Sequence, residues 1–97
     1  MSETRIIRYR TKPECADENA RLIRAVFAEL AVAGPKTVRY TAFRLDDGVS
    51  FVHLVETDDD KNPLPELAAF REFQSGIAER CVEGPTPAVA SVVGSYP

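Results

Sequence analysis

The chain has 97 residues, of which 44% are hydrophobic and 28% charged, a composition that suits one globular domain and is too apolar for a disordered chain. The net charge is −3 at pH 7, and no basic face is evident that could neutralise a run of phosphates, so nucleic acid is not expected as a partner. The longest apolar stretches are far shorter than the ~20 residues of a membrane span, and the first residues carry no apolar segment of a secretory signal. We therefore expect a single cytoplasmic domain over residues 1–97 with no membrane contact.

The first half of the chain predicts a strand, a helix and a β-hairpin. Residues 4–11 are rich in β-forming side chains and predict the first strand. From about residue 14 to residue 33, apolar side chains recur at spacings of three and four, which predicts an amphipathic helix. Residues 37–45 and 49–57 predict two strands joined by the Asp-Asp-Gly turn at 46–48, where glycine can take the left-handed conformation.

The second half predicts a loop, a helix and a last strand. An acidic loop spans 57–63, and the next helix begins at residue 62 or 64 and runs to residue 81. Gly76 in mid-helix costs ~1 kcal/mol relative to alanine, which suggests that it permits a close contact with the backbone. The segment 83–87 contains one glycine and two prolines and is expected to end the helix, so that the last strand covers 88–96.

The order β-α-β-β-α-β predicts an α+β, ferredoxin-like fold. Two right-handed split βαβ units give a four-stranded antiparallel sheet of order 4-1-3-2, with both helices on one face. The other face would then be bare, yet Val52 and Leu54 of the third strand point to it, and the last strand is apolar or small on both faces. A second copy of the sheet is the economical cover, which predicts a homodimer joined through the sheet face.

Two short segments add a resemblance to a known family. The segment 67–73 (LAAFREF) places two aromatic residues three apart on the second helix, and it follows a strand that contains 52–56 (VHLVE). Together with the layout of the whole chain, these segments resemble the antibiotic biosynthesis monooxygenase-like proteins of the dimeric α/β-barrel superfamily. The resemblance implies a dimeric barrel and a monooxygenase that acts on an aromatic or phenolic substrate.

The same resemblance bears on cofactors. Members of that family that oxidise polycyclic phenols or degrade haem commonly use a tryptophan and an asparagine on or near the first strand, and the haem-degrading members also use a histidine in the second helix. This chain has no tryptophan, no asparagine in its first strand and no histidine in its second helix. These departures count against haem degradation and leave open the family's oxygenation without a cofactor, which needs fewer protein groups because the substrate carbanion itself activates oxygen.

His53 is the only histidine, so every scheme of catalysis by imidazole depends on it. An imidazole on a covered strand face could serve as a general base near neutral pH; the alternative is a partly buried, hydrogen-bonded structural histidine. Tyr9 and Arg39 could orient a substrate, although Arg39 could equally pair with Glu56 across the hairpin. Three aromatic side chains would form the wall of the pocket, or fill it: Phe27, Phe70 and Phe73.

Other kinds of site find little support in the sequence. No metal site is expected, because the acidic run 58–60 lacks the glycine and final glutamate of a calcium loop. Cys15 and Cys81 have no C-x-x-C spacing and are predicted to be free thiols rather than a redox pair. The alternative to an enzyme is a non-catalytic homodimer of the same fold that binds a small apolar or aromatic molecule or serves a structural role.

Overall fold

The computed structural model describes residues 2–58 and 62–97. It contains four strands, three α-helices and two short 3-10 turns, in the predicted order of elements. The predicted acidic loop falls partly on residues 59–61, which lie outside the described residues. In chain order the elements are β1 (Ser2–Thr11), a 3-10 turn (Pro13–Cys15), α1 (Ala16–Ala33), β2 (Val38–Arg44), β3 (Ser50–Asp58), a 3-10 turn (Leu64–Glu66), α2 (Ala68–Ser75), α3 (Ile77–Arg80) and β4 (Cys81–Ala90).

The four strands form one antiparallel sheet in the order β2-β3-β1-β4, which is the predicted order read from the opposite edge. The ferredoxin-like prediction is therefore confirmed. In the register of the sheet, His53 lies directly opposite Ile7 of β1 and Ala42 of β2. The only histidine thus occupies the middle of a central strand, with neighbours on both sides.

The helices cover one face of the sheet. The apolar stripe of α1 is buried, and the helix ends where Gly34 takes a left-handed conformation (φ 58°) and donates its N–H to the carbonyl of Leu30 at 2.8 Å. This stripe packs against every second side chain of the strands. Successive side chains of a strand point to opposite faces of the sheet, and the helices cover only one of these faces. The main buried cluster consists of Tyr9, Ala16, Ala20, Leu22, Ile23, Val26, Phe51 and Phe73.

The second helix is shorter than predicted. A single helix was expected up to residue 81, but α2 ends at Ser75, Gly76 leaves helical geometry (φ −110°, ψ 5°), and one further turn forms α3. A Cβ atom built on Gly76 would lie 2.8 Å from Nη1 of Arg80. Gly76 was expected to permit a close contact, and the group that comes close to it is a guanidinium group.

The last strand was predicted wrongly. It begins at Cys81, directly after α3, and ends at Ala90, whereas 88–96 was expected; residues 91–97 lie outside any strand. The prediction that Pro85 and Pro87 help to end the helix is wrong, because both lie within β4, an edge strand that among the described residues pairs only with β1. Proline is tolerated on an edge strand because its missing N–H removes no hydrogen bond when that position faces outward. The register between β1 and β4 shifts at two places, which lets the two strands stay paired where their residues no longer match one to one.

The face of the sheet turned away from the helices, which we call the outer face, is apolar in part. Ile6, Val52 and Leu54 are half-buried there, and Phe43, opposite Val52, is 49% exposed. Strand β3 therefore has apolar side chains on both faces of the sheet, as predicted from the sequence. Among the described residues, no helix has the length and apolar character needed to cross a membrane.

Candidate functional site

A cavity of about 550 Å³ lies between the sheet and the segment that carries α2. Its wall is mostly apolar, and several of its polar side chains lie on the strands of the sheet. The lining residues are Arg5, Ile7, Tyr9, Tyr40, His53, Val55, Asn62, Leu64, Pro65, Phe70, Phe73, Gln74, Ile77, Pro85 and Pro87. An apolar cleft of this size with a few converging polar groups is the usual form of a small-molecule site.

His53 lies at the base of this cavity with its ring held between two tyrosines. Its side chain is only 3% exposed. The hydroxyl of Tyr9 lies 2.8 Å from Nε2, and the hydroxyl of Tyr40 lies 2.5 Å from Nδ1. Both ring nitrogens therefore have protein partners, and Tyr40 is the half-buried one of the two tyrosines.

The hydrogen bonds continue from Tyr9 into the core. Asn19 of α1, which is fully buried, donates from Nδ2 to the hydroxyl oxygen of Tyr9 at 2.8 Å. Arg80 of α3 donates from Nε to Oδ1 of Asn19 at 3.0 Å and from Nη2 to the carbonyl of Phe73 at 2.7 Å. We call the five side chains Arg80, Asn19, Tyr9, His53 and Tyr40 the hydrogen-bond chain. It links α1 and the strands β1, β2 and β3 to α3 at the end of the second helical segment.

Burial fixes the protonation of this group. It lowers the pKa of His53 from 6.5 to about 4, because the charged imidazolium would lose its hydration. It raises the pKa of Tyr9 and of Tyr40 well above the usual range for the same reason. At neutral pH the imidazole and both phenols are therefore uncharged, and Arg80 supplies the one formal charge of the hydrogen-bond chain.

The structure brings most of the predicted site residues together. Tyr9, Phe70 and Phe73 line the cavity with His53. Phe27 lies behind the cavity, where its ring centroid is 4.8 Å from that of Tyr40. Arg39 lies on the outer face, opposite Glu56 in the register.

Several polar residues of the site were not singled out from the sequence. Asn19 and Arg80 complete the hydrogen-bond chain, and Arg5 lies at the cavity wall where Arg39 was expected to act. Asn19 had a usable signal, because it stands on the buried stripe of α1 three residues after Ala16, and a buried amide requires partners. In the part of the chain that the structure describes, no three His, Cys, Asp or Glu side chains are grouped as ligands for a metal ion.

Comparison with known proteins identifies the fold. No family model matches the sequence, and no curated protein is significantly similar to it. Solved structures do match: a Nitrosomonas europaea protein, provisionally named as an antibiotic biosynthesis monooxygenase, has a TM-score of 0.76 at 15% identity over 95% of this chain and 90% of its own. The fold is that of the antibiotic biosynthesis monooxygenases.

Two further structures share the antibiotic biosynthesis monooxygenase fold of this chain. A mutant of SnoaB, a cofactor-independent oxygenase from Streptomyces nogalater, has a TM-score of 0.72 at 16% identity over 99% of this chain and 97% of its own. A dimeric ferredoxin-like protein of unknown function from Jannaschia sp. CCS1 has a TM-score of 0.70 at 12% identity over 95% of this chain and 100% of its own. Identities this low establish the shared fold and leave the chemistry to be argued from the site.

Proposed function

We propose that this chain is a cofactor-independent monooxygenase-like enzyme that acts on a small aromatic or phenolic substrate bound in the cavity beside His53. One observation carries the proposal: an apolar cavity of about 550 Å³ that has a neutral imidazole and a half-buried phenol at its base. The fold shared with a cofactor-independent oxygenase supports it. An apolar cavity favours a flat ring system, and its few polar groups can fix the orientation of a ring oxygen.

The reaction needs little from the protein beyond binding and electrostatics. The substrate ionises by losing a ring C–H proton to solvent, and the resulting carbanion reduces O2 directly. A ring CH2 thus becomes C=O, and the second oxygen atom leaves as water with that proton and the remaining hydrogen of the CH2. The residues must then exclude water and stabilise negative charge on the oxygen of the substrate. Phe70 and Phe73 supply the apolar wall, and His53 acts on the substrate through Tyr40, because both of its ring nitrogens already have hydroxyl partners.

The test is oxygen uptake with a panel of phenolic compounds and ring ketones. We expect Tyr40→Phe to lower the turnover at least tenfold, since it removes the hydroxyl that contacts Nδ1 of His53 at the cavity wall. Tyr96→Phe is the matched control, because it removes the same hydroxyl group from a side chain that is 99% exposed. Substrate binding with no oxygen uptake by the wild type would favour the non-catalytic binding protein instead.

We also propose that the functional form is a homodimer joined through the outer face. The outer face exposes Phe43 beside half-buried Val52 and Leu54. Such a surface is apolar enough to be stabilised by a cover. A dimeric protein among the structures of this fold supports a second copy as that cover. The cytoplasmic location stays a prediction, which fractionation of the native host would check.

A further inference from the structure

The direction of the hydrogen-bond chain is set at its buried end. Arg80 has only donors, so the atom of Asn19 that faces it must be the amide oxygen. The amide nitrogen of Asn19 then faces the hydroxyl of Tyr9 and donates to its oxygen at 2.8 Å. The usual ambiguity between the oxygen and nitrogen of an asparagine side chain is thereby removed.

The same logic passes through Tyr9. Because its oxygen accepts from Asn19, its own O–H must find an acceptor, and Nε2 of His53 at 2.8 Å is the acceptor within reach among the described residues. The reverse direction, with an Nε2–H donating to Tyr9, would leave the buried hydroxyl proton of Tyr9 without an acceptor there. Nε2 is therefore the unprotonated nitrogen.

The proton of the imidazole must then be on Nδ1. A neutral imidazole holds one proton, so Nδ1–H donates to the hydroxyl oxygen of Tyr40 at 2.5 Å. Tyr40 is left with its own O–H to donate, and within the described residues its hydroxyl has no second protein partner. The side chain of Tyr40 lines the cavity, so the free proton is available to a ligand there.

We infer that the hydrogen-bond chain holds Tyr40 as a hydrogen-bond donor toward the cavity, which selects ligands that present an acceptor oxygen, namely a ring carbonyl or an enolate or phenolate oxygen. The inference rests on the proposed function for the location of the site and deepens it by naming the group that binds. Tyr40 is then the catalytic residue, which stabilises the oxyanion as it forms. His53, Asn19 and Arg80 are positioning residues, and His53 holds its proton rather than acting as a base.

A spectroscopic test is direct because the chain has one histidine. In protein labelled with ¹⁵N-histidine, NMR at neutral pH reports which of the two ring nitrogens carries the proton, with no assignment problem. We expect protonated Nδ1 and unprotonated Nε2 in the wild type. Protonated Nε2 in the wild type would overturn the inference, whether or not the protein has oxygenase activity.

The variant Asn19→Asp should reverse the direction of the chain without changing its shape. A carboxylate at this position accepts from Arg80 and also from the O–H of Tyr9, so the oxygen of Tyr9 becomes an acceptor for an Nε2–H. The variant should fold, since it gives the buried guanidinium a counter-ion. We expect the proton to move to Nε2, while Ser91→Asp, which adds a carboxylate at an exposed position outside the cavity lining, leaves it on Nδ1. An unchanged spectrum in folded Asn19→Asp would contradict the inference.

Binding of a matched pair of probes completes the test. 1-Tetralone and tetralin share a ring system, but only the ketone has an acceptor oxygen. We expect the wild type to bind the ketone about fivefold more tightly than the hydrocarbon, the worth of one hydrogen bond, and Tyr40→Phe to abolish that difference. Equal affinities in the wild type would overturn the selection of acceptor oxygens. A tetralone preference without oxygen uptake from any substrate would instead sustain this inference and refute the oxygenase.

Discussion

At the scale of single residues, the imidazole of the site and the two phenols that contact it stay neutral. His53 is uncharged because burial opposes its ionisation, and its two hydroxyl partners stay protonated for the same reason. A pKa of about 4 makes the imidazole a weak base at neutral pH. Its role is therefore to fix the direction of the hydrogen bonds between the core and Tyr40 rather than to act as a base.

The lowered pKa of His53 makes a prediction about stability against pH. The unfolded chain takes up the proton first, near pH 6.5, whereas the folded chain resists it until about pH 4. Stability is therefore full above pH 6.5 and is lost as the pH falls toward 4, by about 3 kcal/mol in total. Urea unfolding at pH 7, 5.5 and 4.5 should show this loss in the wild type.

His53→Gln is the control for that experiment. Carboxylates also titrate at the acid end of the range, and they contribute equally to both proteins. The difference between the two unfolding free energies should therefore shrink as the pH falls from 6.5, since only the wild type has an imidazole to protonate. Parallel curves for the two proteins would show that His53 titrates normally in the folded state.

At the scale of elements, the boundaries that were predicted well are those that depend on local sequence patterns. The first three strands and α1 were predicted to within about two residues at most boundaries, because their apolar periods and the glycine turns are local features. The last strand was missed because its prolines are tolerated only at a sheet edge, and edge position is a property of the whole sheet.

The same distinction separates the predicted and missed parts of the site. His53, Tyr9, Phe70 and Phe73 were found because each stands on a recognisable strand or helix face. The contact between Arg80 and Asn19 joins residues 61 apart in the chain and is invisible to any local pattern. Arg39 lies on the outer face because it alternates with Val38 and Tyr40, which face the helices.

Gly76, between α2 and α3, gives a prediction at this scale. Gly76→Ala would place a methyl group 2.8 Å from Nη1 of Arg80, whose guanidinium is fixed by Asn19 and by the carbonyl of Phe73. We expect a loss of about 1–2 kcal/mol in the free energy of unfolding, because the buried guanidinium must shift from its acceptors.

Gly84→Ala is the matched control, since nothing lies within 4 Å of a Cβ built at that position. It should leave the stability almost unchanged. Chemical denaturation of the two variants beside the wild type decides the question. If Gly76→Ala were as stable as Gly84→Ala, the close contact with Arg80 would carry no energetic weight.

At the scale of the whole molecule, the two faces of the sheet divide the tasks. The helix face holds the cavity and the hydrogen-bond chain, while the outer face presents apolar side chains that no element of the chain covers among the described residues. A pair of sheets packed through their outer faces would bury these side chains and leave both cavities accessible. The proposed dimer thus supports the site without contributing to its chemistry.

Phe43 offers the sharpest test of that assembly. It lies on the outer face opposite Val52 and is 49% exposed in the single chain. Phe43→Asp would place a charge in the proposed interface, where its desolvation is uncompensated, and we expect the dimer dissociation constant to rise at least tenfold. Val32→Asp makes a comparable change on α1, at a side chain that is 89% exposed, and should leave the dimer intact. Sedimentation velocity across micromolar concentrations measures both. A wild-type protein that sediments as a monomer throughout, or a Phe43→Asp variant that remains as dimeric as Val32→Asp, would refute an interface on the outer face.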